Sequence, residues 1–174
     1  MARYPVLHGL GAPRAKAAMP AESRVCFTAP PKTPSVGMRA SDSGAVALAM
    51  EYLARMVQEE MHVLALSSMN IVRADYMVGR GAEGGVNMTP SAVLRSVLMM
   101  GRNRFALVHN HPGGDPEFSP EDWKWTANLI SAAKCAGLQM VDHLVVAWDD
   151  PTDRMVFRAM RNDTHTSLMY GIQW

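Results

Sequence analysis

From residue 41 onward, hydrophobic positions follow two periodicities, one typical of helices and one typical of buried strands. Segment 41–58 has apolar residues at helical spacing, and Ser41 or Ser43 can cap the helix. Segment 59–68 is apolar on both faces, as in a buried strand, and segment 70–78 follows a polar break as its hairpin partner. The face of the first helix that we expect to be buried carries Ala45, Leu48, Tyr52 and Met56.

Two more helices and three more strands are predicted after residue 88. Thr89 and Pro90 form a favourable helix start, and that helix should end near Arg102. Ser119 and Pro120 begin another helix, which should end before residue 137. The three further segments with strand composition are 105–111, 139–148 and 153–160, the last as an edge strand. Helices interleaved with strands predict an α/β sandwich around a mostly buried sheet.

Composition divides the chain into two unlike parts. Hydrophobic residues make up 48% and charged residues 19%, and no apolar run is long enough to cross a membrane, so we expect one globular domain at 41–174. Six of the 11 prolines lie in residues 1–40, which predicts a flexible arm. The arm has six basic residues and one acidic residue, a charge of +5, which leaves −4 for the domain out of a total of +1. Such an arm can bind nucleic acid or an acidic partner, or simply add solubility.

The 2 cysteines, Cys26 and Cys135, are too few for a disulfide framework or a multi-cysteine zinc site. We therefore expect a reducing, cytoplasmic location. Pro5, His8 and Pro13 interrupt the apolar start of the chain, so we expect no signal peptide. Residues 79–84 match G-x-G-x-x-G, but Pro90 delays the following helix and no acidic residue stands at the required distance. We interpret this segment as a loop and predict no nucleotide cofactor. The oligomeric state is left open.

The chemistry is concentrated between residues 109 and 122. His109 and His111 end a predicted strand, and residues at i and i+2 of a strand point to the same side. Asp122 lies in the first turn of the next helix and could complete a His, His, Asp set with an open fourth position, as in catalytic zinc sites. Each piece also has an ordinary explanation, because His-x-His can simply end a strand and Ser119-x-x-Asp122 is a capping-box variant.

The string HNHPGGDP, followed by Ser119, Asp122 and DHLVVA, resembles the metal-binding motif of the JAB/MPN (JAMM) metalloproteases. It is similar in particular to bacterial RadC-like JAB proteins, over about residues 58–148. The resemblance implies a JAB/MPN (cytidine-deaminase-like) α-β-α sandwich around a mixed sheet. It also implies a Zn²⁺ site with ligands His109, His111 and Asp122, and a Ser119 hydroxyl that helps to stabilise the oxyanion.

The same resemblance implies a catalytic glutamate before an apolar strand, seven residues ahead of the leucine that closes it. Glu59 and Leu66 have that spacing, so we assign Glu59. Glu60 is the competitor, since neighbouring residues of a strand face opposite ways. Asp142 and His143 match the family's Asp-His pair, of which one can support a metal ligand from behind while a purely structural pair is the alternative.

The implied activity is zinc-dependent cleavage of a peptide or isopeptide bond in a protein or peptide substrate, of which a ubiquitin-like protein is one candidate. The alternative is an accessory protein of DNA repair, recombination or mobile elements that holds nucleic acid through the basic arm. A membrane partner is not expected. The chain departs from the family pattern at Gly113, where a serine is usual, and at Ser91, where an arginine is often found.

Overall fold

The structure is a computed structural model, and it describes residues 34–81 and 88–174. Helices and strands alternate along most of this range, as predicted. In chain order they are α1 (Ser43–Ala49), α2 (Glu51–Ala54), β1 (Glu60–Leu66), β2 (Val72–Arg80), α3 (Pro90–Met99), β3 (Arg104–His111), α4 (Pro120–Cys135), β4 (Gln139–Asp149), β5 (Arg154–Ala159), a 3₁₀ turn (Met160–Asn162) and α5 (Thr164–Met169).

The strands form one mixed sheet in the order β2-β1-β3-β4-β5. All neighbouring pairs are antiparallel except β3 and β4, which are parallel and are joined through α4. A parallel pair needs such a crossover, because the chain must return to the same end of the sheet. The strand order places β1 and β3 in the interior of the sheet and β5 at its edge, as predicted.

Both faces of the sheet are covered, so the predicted α-β-α sandwich is confirmed. On one face, α1 and α2 pack their buried residues against Leu64, Leu66 and Val108. On the other, α3 and α4 pack against Val63 and Leu107. These strand side chains are at most 1% exposed, and burying each contributes roughly 1.5–3 kcal/mol.

The first helix differs from its prediction in cap, length and buried face. Asp42, not Ser41 or Ser43, caps α1 by accepting a 3.0 Å hydrogen bond from the Ala45 amide. The helical segment breaks at Met50, which is fully buried. The predicted buried face is wrong, since Leu48 is 66% and Tyr52 43% exposed. This segment is apolar nearly all round, so spacing alone could not decide which side meets the sheet; the residues buried instead are Val46, Ala47, Met50, Leu53 and Ala54.

Residues 34–40, the last part of the predicted arm, are packed against the domain. Ala40 is 2% exposed, its amide donates to the Asn70 carbonyl, and Arg39 forms a bridge to Ile71. The rest of the arm, residues 1–33, and part of the G-x-G-x-x-G segment, residues 82–84, lie outside the described residues. None of the helices within the described ranges is both long and apolar enough to cross a membrane.

Candidate metal centre

Strand β3 presents its two histidines on the face of the sheet that α4 covers. His109 is fully buried between β1 and β4, and His111 closes the strand with a side chain 21% exposed. The Nε2 atoms of the two imidazoles are 2.9 Å apart. The i, i+2 spacing therefore directs both rings at one point, as the sequence predicts.

The first turn of α4 brings Asp122 to the same point. Its Oδ1 lies 3.8 Å from His109 Nε2, and its Oδ2 lies 3.7 Å from His111 Nε2. A capping box holds the carboxylate, because Asp122 Oδ2 accepts from both the amide and the hydroxyl of Ser119, at 2.9 and 2.7 Å. The Asp122 carboxylate thus belongs to an ordinary capping box and is also a candidate metal ligand, and the capping box fixes its orientation.

The turn between β3 and α4 depends on one glycine. Gly114 has φ +84, a conformation that L side chains rarely adopt, and a Cβ there would lie 2.9 Å from the Trp148 carbonyl oxygen. Gly113, which stands where the related family usually has serine, has neither constraint. A serine Cβ at position 113 would meet nothing within 4 Å, so this turn has room for the residue that is usual in the family.

Each candidate histidine ligand has a partner on its other ring nitrogen. His111 Nδ1 is 2.8 Å from the Asp115 carbonyl oxygen, and His109 Nδ1 is 2.9 Å from His143 Nε2. His143 Nδ1 is in turn 2.8 Å from Thr126 Oγ1. Ligation through Nε2 requires a proton on Nδ1, and both histidines have an acceptor for it: the Asp115 carbonyl and His143 Nε2.

Burial and charge give the candidate ligands different protonation tendencies. Burial lowers the pKa of His109 well below the usual histidine value, and that of His143 to about 4. Burial also acts to lower the pKa of His111, but the Asp122 charge, the Asp115 carbonyl and the Glu59 charge outweigh it, so the net shift is upward. Burial acts to raise the pKa of Asp122, but His111, His109 and Ser119 outweigh it and hold that pKa well below its usual range.

The donor set fits a zinc ion. With bonds of about 2.0–2.1 Å, two ligand atoms of a tetrahedral zinc centre lie about 3.3–3.4 Å apart. The three distances between the candidate donor atoms, 2.9, 3.7 and 3.8 Å, bracket that value, so shifts of a few tenths of an ångström suffice. Over residues 34–81 and 88–174, this is the one set of three or more His, Cys, Asp or Glu residues whose donor atoms converge within 4.8 Å.

The two neighbouring glutamates at the start of β1 point in opposite directions. Met61 is paired with His109, so Glu59, two residues earlier, lies on the face of the candidate metal site. Its negative charge contributes to raising the pKa of His111. Glu60 faces the other way, and its carboxylate contacts Arg80 at 2.6 Å and His62 at 3.4 Å. Of the two acids, only Glu59 shares a face with the histidines.

Ser119 and Asp142 were also predicted to have roles at the site, and their hydrogen bonds show what each side chain contacts. The Ser119 hydroxyl donates to Asp122, so its observed contact orients a ligand; its oxyanion role stays a prediction. Asp142 is on the opposite face from His143 and accepts from the Ser43 hydroxyl and the Arg161 amide. Burial raises the pKa of Asp142. Within the Asp-His pair, the histidine contacts a candidate metal ligand, and the aspartate ties α1 to the chain after β5.

Two residues at the site were not identified from the sequence. Thr126, fully buried, lies one helical turn after Asp122 and contacts His143; its i+4 spacing could have indicated it. Asn110, between the two histidines, is also fully buried and contacts the segment before β1. No signal in the sequence indicates that contact, since its partners are backbone atoms about 50 residues away.

Comparison with known proteins confirms the resemblance predicted from the sequence. Residues 40–159 match the family model of the RadC-like JAB domain. The chain is 30% identical over 165 residues to the UPF0758 protein of Acaryochloris marina, covering 93% of this chain and 67% of the relative. UPF0758 proteins of Ruegeria pomeroyi and Rhodobacter capsulatus are 36% and 38% identical over 88 residues, which is 51% of this chain and 39% and 41% of theirs. The chain thus spans about two-fifths of the length of these two relatives. It belongs to the RadC-like JAB domain family.

Proposed function

We propose that this chain is a zinc-dependent hydrolase that cleaves a peptide or isopeptide bond. The observation that carries the proposal is the convergence of His109, His111 and Asp122 with the Glu59 carboxylate on the same face of the sheet. Three protein ligands and an open fourth position are typical of catalytic zinc sites, whereas structural zinc sites have four protein ligands.

The position and contacts of each side chain at the site suggest its role. His109, His111 and Asp122 would hold Zn²⁺, which, when bound, lowers the pKa of a coordinated water molecule and polarises a carbonyl group. Glu59 would accept the proton of the attacking water and return it to the departing amine, a contribution of roughly 10²- to 10⁴-fold. His143 and Thr126 would keep His109 in the tautomer that leaves Nε2 free for ligation.

The exposure of the site leaves it accessible to the proposed peptide or protein substrate. His109 is fully buried, but the side chains of His111 and Asp122 are 21% and 20% exposed, so the site opens to solvent on one side. A protein or peptide chain, including a ubiquitin-like one, could reach it there. A cytoplasmic location is part of the same proposal and rests on the low cysteine count.

The proposal is tested with two sets of fluorogenic substrates, one with peptide bonds and one with lysine isopeptide bonds. We expect cleavage by zinc-loaded protein, loss of cleavage after treatment with a chelator, and recovery when Zn²⁺ is added. His111→Ala should be inactive and should not recover. Cleavage by metal-free His111→Ala protein, or its absence from zinc-loaded wild type, would overturn the proposal.

A second candidate function is supported by the charge of residues 1–40, which is +5 against −4 for the rest of the chain. In this alternative the protein is a non-peptidase accessory protein that binds nucleic acid in DNA repair, recombination or mobile elements. DNA affinity should then fall steeply as salt is raised and disappear when residues 1–33 are deleted. Affinity unchanged by that deletion would exclude the arm as the DNA-binding element.

A further inference from the structure

We infer that Asn110 is a positioning residue for Glu59: it joins the catalytic carboxylate to the strand that carries the metal ligands. This inference rests on the proposed hydrolase function. Asn110 lies between His109 and His111, and its side chain is directed to the opposite face of β3 because successive side chains alternate. Two of the three proposed metal ligands and the anchor of the proposed base thus come from three consecutive residues, on the two faces of one strand.

Asn110 makes hydrogen bonds to backbone groups both before and after Glu59 in the chain. Its Oδ1 accepts from the Glu60 amide at 2.7 Å, and its Nδ2 donates to the carbonyls of Gln58 and Met56 at 3.1 and 3.2 Å. Asn110 is fully buried, and these three bonds use its acceptor and both of its donor hydrogens. All three partners are backbone groups, so the amide holds the path of the chain whatever side chains stand there.

A second contact limits the rotation of the same segment. The Glu59 carbonyl accepts from the Gly81 amide at 2.7 Å, and the Glu60 carboxylate contacts Arg80. The backbone groups on each side of the Glu59 side chain are therefore bonded, to β3 through Asn110 and to the end of β2. A carboxylate held in this way has its direction set by the backbone, which matters because a displacement of about 1 Å can cost roughly 100-fold in rate.

The direct test compares Asn110→Ala with Val108→Ala. Val108 is two residues earlier on the same face of β3, is equally buried, and packs in the core cluster of that face. If Asn110 acts through Glu59, Asn110→Ala should lower kcat by about 10- to 100-fold with KM and zinc affinity changed by less than about threefold. Val108→Ala should lower stability and leave kcat within about threefold. Equal kcat for the two variants would overturn the inference.

Two further measurements separate positioning from a general loss of structure. In the Glu59→Gln background, Asn110→Ala should cost less than about twofold, since the group that it positions is already absent. Amide hydrogen exchange at Glu60 should be at least about tenfold faster in Asn110→Ala than in wild type, and unchanged in Val108→Ala. Additive losses, or unchanged exchange at Glu60, would contradict the inference.

The outcomes distinguish the inference from the function on which it rests. If zinc-loaded wild type cleaves nothing, the proposed function fails, and the catalytic role of Asn110 fails with it. If wild type cleaves and Asn110→Ala retains its kcat, only the positioning role fails. Should Asn110→Ala not fold, Asn110→Asp, which keeps the acceptor for the Glu60 amide but not the two donated bonds, replaces it with the same expected direction.

Discussion

The two faces of the sheet near the start of β1 each hold histidine and carboxylate side chains, yet they have different chemistry. On the α4 face, two imidazole nitrogens and a carboxylate converge on one point. On the α1 face, His62 lies between two acids: its Nδ1 is 2.7 Å from Asp75 and its Nε2 is 3.4 Å from Glu60. Because these two contacts leave the ring in opposite directions, the cluster is a chain of ion pairs without a common centre.

The charges of the second face are balanced within it. Glu60 contacts Arg80 at 2.6 Å as well as His62, and Asp75 also accepts from the Ser35 hydroxyl at 3.4 Å. Burial acts to lower the pKa of His62, but the hydrogen bonds and charges of Asp75 and Glu60 outweigh it, so the net shift is upward. Burial, together with the charges of Asp75 and Glu60, raises the pKa of Tyr52 to about 12. This network joins side chains of β1 to side chains of β2. The two faces therefore differ in the convergence of their lone pairs rather than in the number of their titratable groups, and only the α4 face offers a candidate metal site among the described residues.

The largest expected effect is on metal affinity. His111→Ala leaves two ligands and should weaken Zn²⁺ binding by about 1,000-fold or more, because the ion loses a direct bond. His62→Gln removes a buried histidine from the other face and should leave the affinity within about threefold. Competition with a chromophoric chelator measures both. Similar losses in the two variants would show that the faces do not differ as described.

The next effect concerns the neighbouring glutamates. Glu59→Gln keeps the ligands and should lower the rate of hydrolysis by roughly 10²- to 10⁴-fold, as expected for removal of a general base. Glu60→Gln should reduce the free energy of unfolding, since it breaks the contacts with Arg80 and His62, and should leave kcat within about threefold. Steady-state kinetics and denaturant unfolding of both proteins provide the measurement. A reversed pattern would assign the reaction to Glu60.

A smaller loss of Zn²⁺ affinity is expected from changing a residue that contacts a proposed metal ligand from behind. His143→Ala removes the acceptor for His109 Nδ1 and should weaken Zn²⁺ binding by about 10- to 100-fold. Asp142→Asn changes the adjacent residue on the opposite face and should leave the affinity within about threefold. The same chelator competition applies. Unchanged affinity in His143→Ala would mean that the tautomer of His109 does not depend on His143.

The smallest effect is on pH-dependent stability. The raised pKa of His62 means that its stabilising contribution is fully present below the usual histidine pKa of about 6.5 and is lost as pH rises through the folded-state value. Asp75→Asn removes a charge-assisted hydrogen bond and should cost about 1.5–3 kcal/mol at pH 6, with a smaller cost at pH 9. Urea unfolding of zinc-free wild type and variant measures the difference. A cost that grows with pH would contradict the assignment.

Much of the fold and of the site could be predicted from local patterns. His-x-His at the end of a strand, and a capping box that begins the next helix, involve residues close in sequence, and the structure brings their side chains together. The face of the first helix could not be predicted, because its buried positions depend on contact with β3 and β4. The 3₁₀ turn and α5 were also not predicted; α5 has six residues, too few for a periodicity to show.

The sequence by itself determined the donor types, their spacing and the strand and helix that carry them, because these depend on backbone geometry over a few residues. The tertiary structure decided which glutamate faces the candidate metal site, which residue of the Asp-His pair contacts a candidate ligand, and that Asn110 anchors the segment before β1. Each of these depends on the register between strands distant in the chain. A shift of that register by one residue would turn every side chain to the other face.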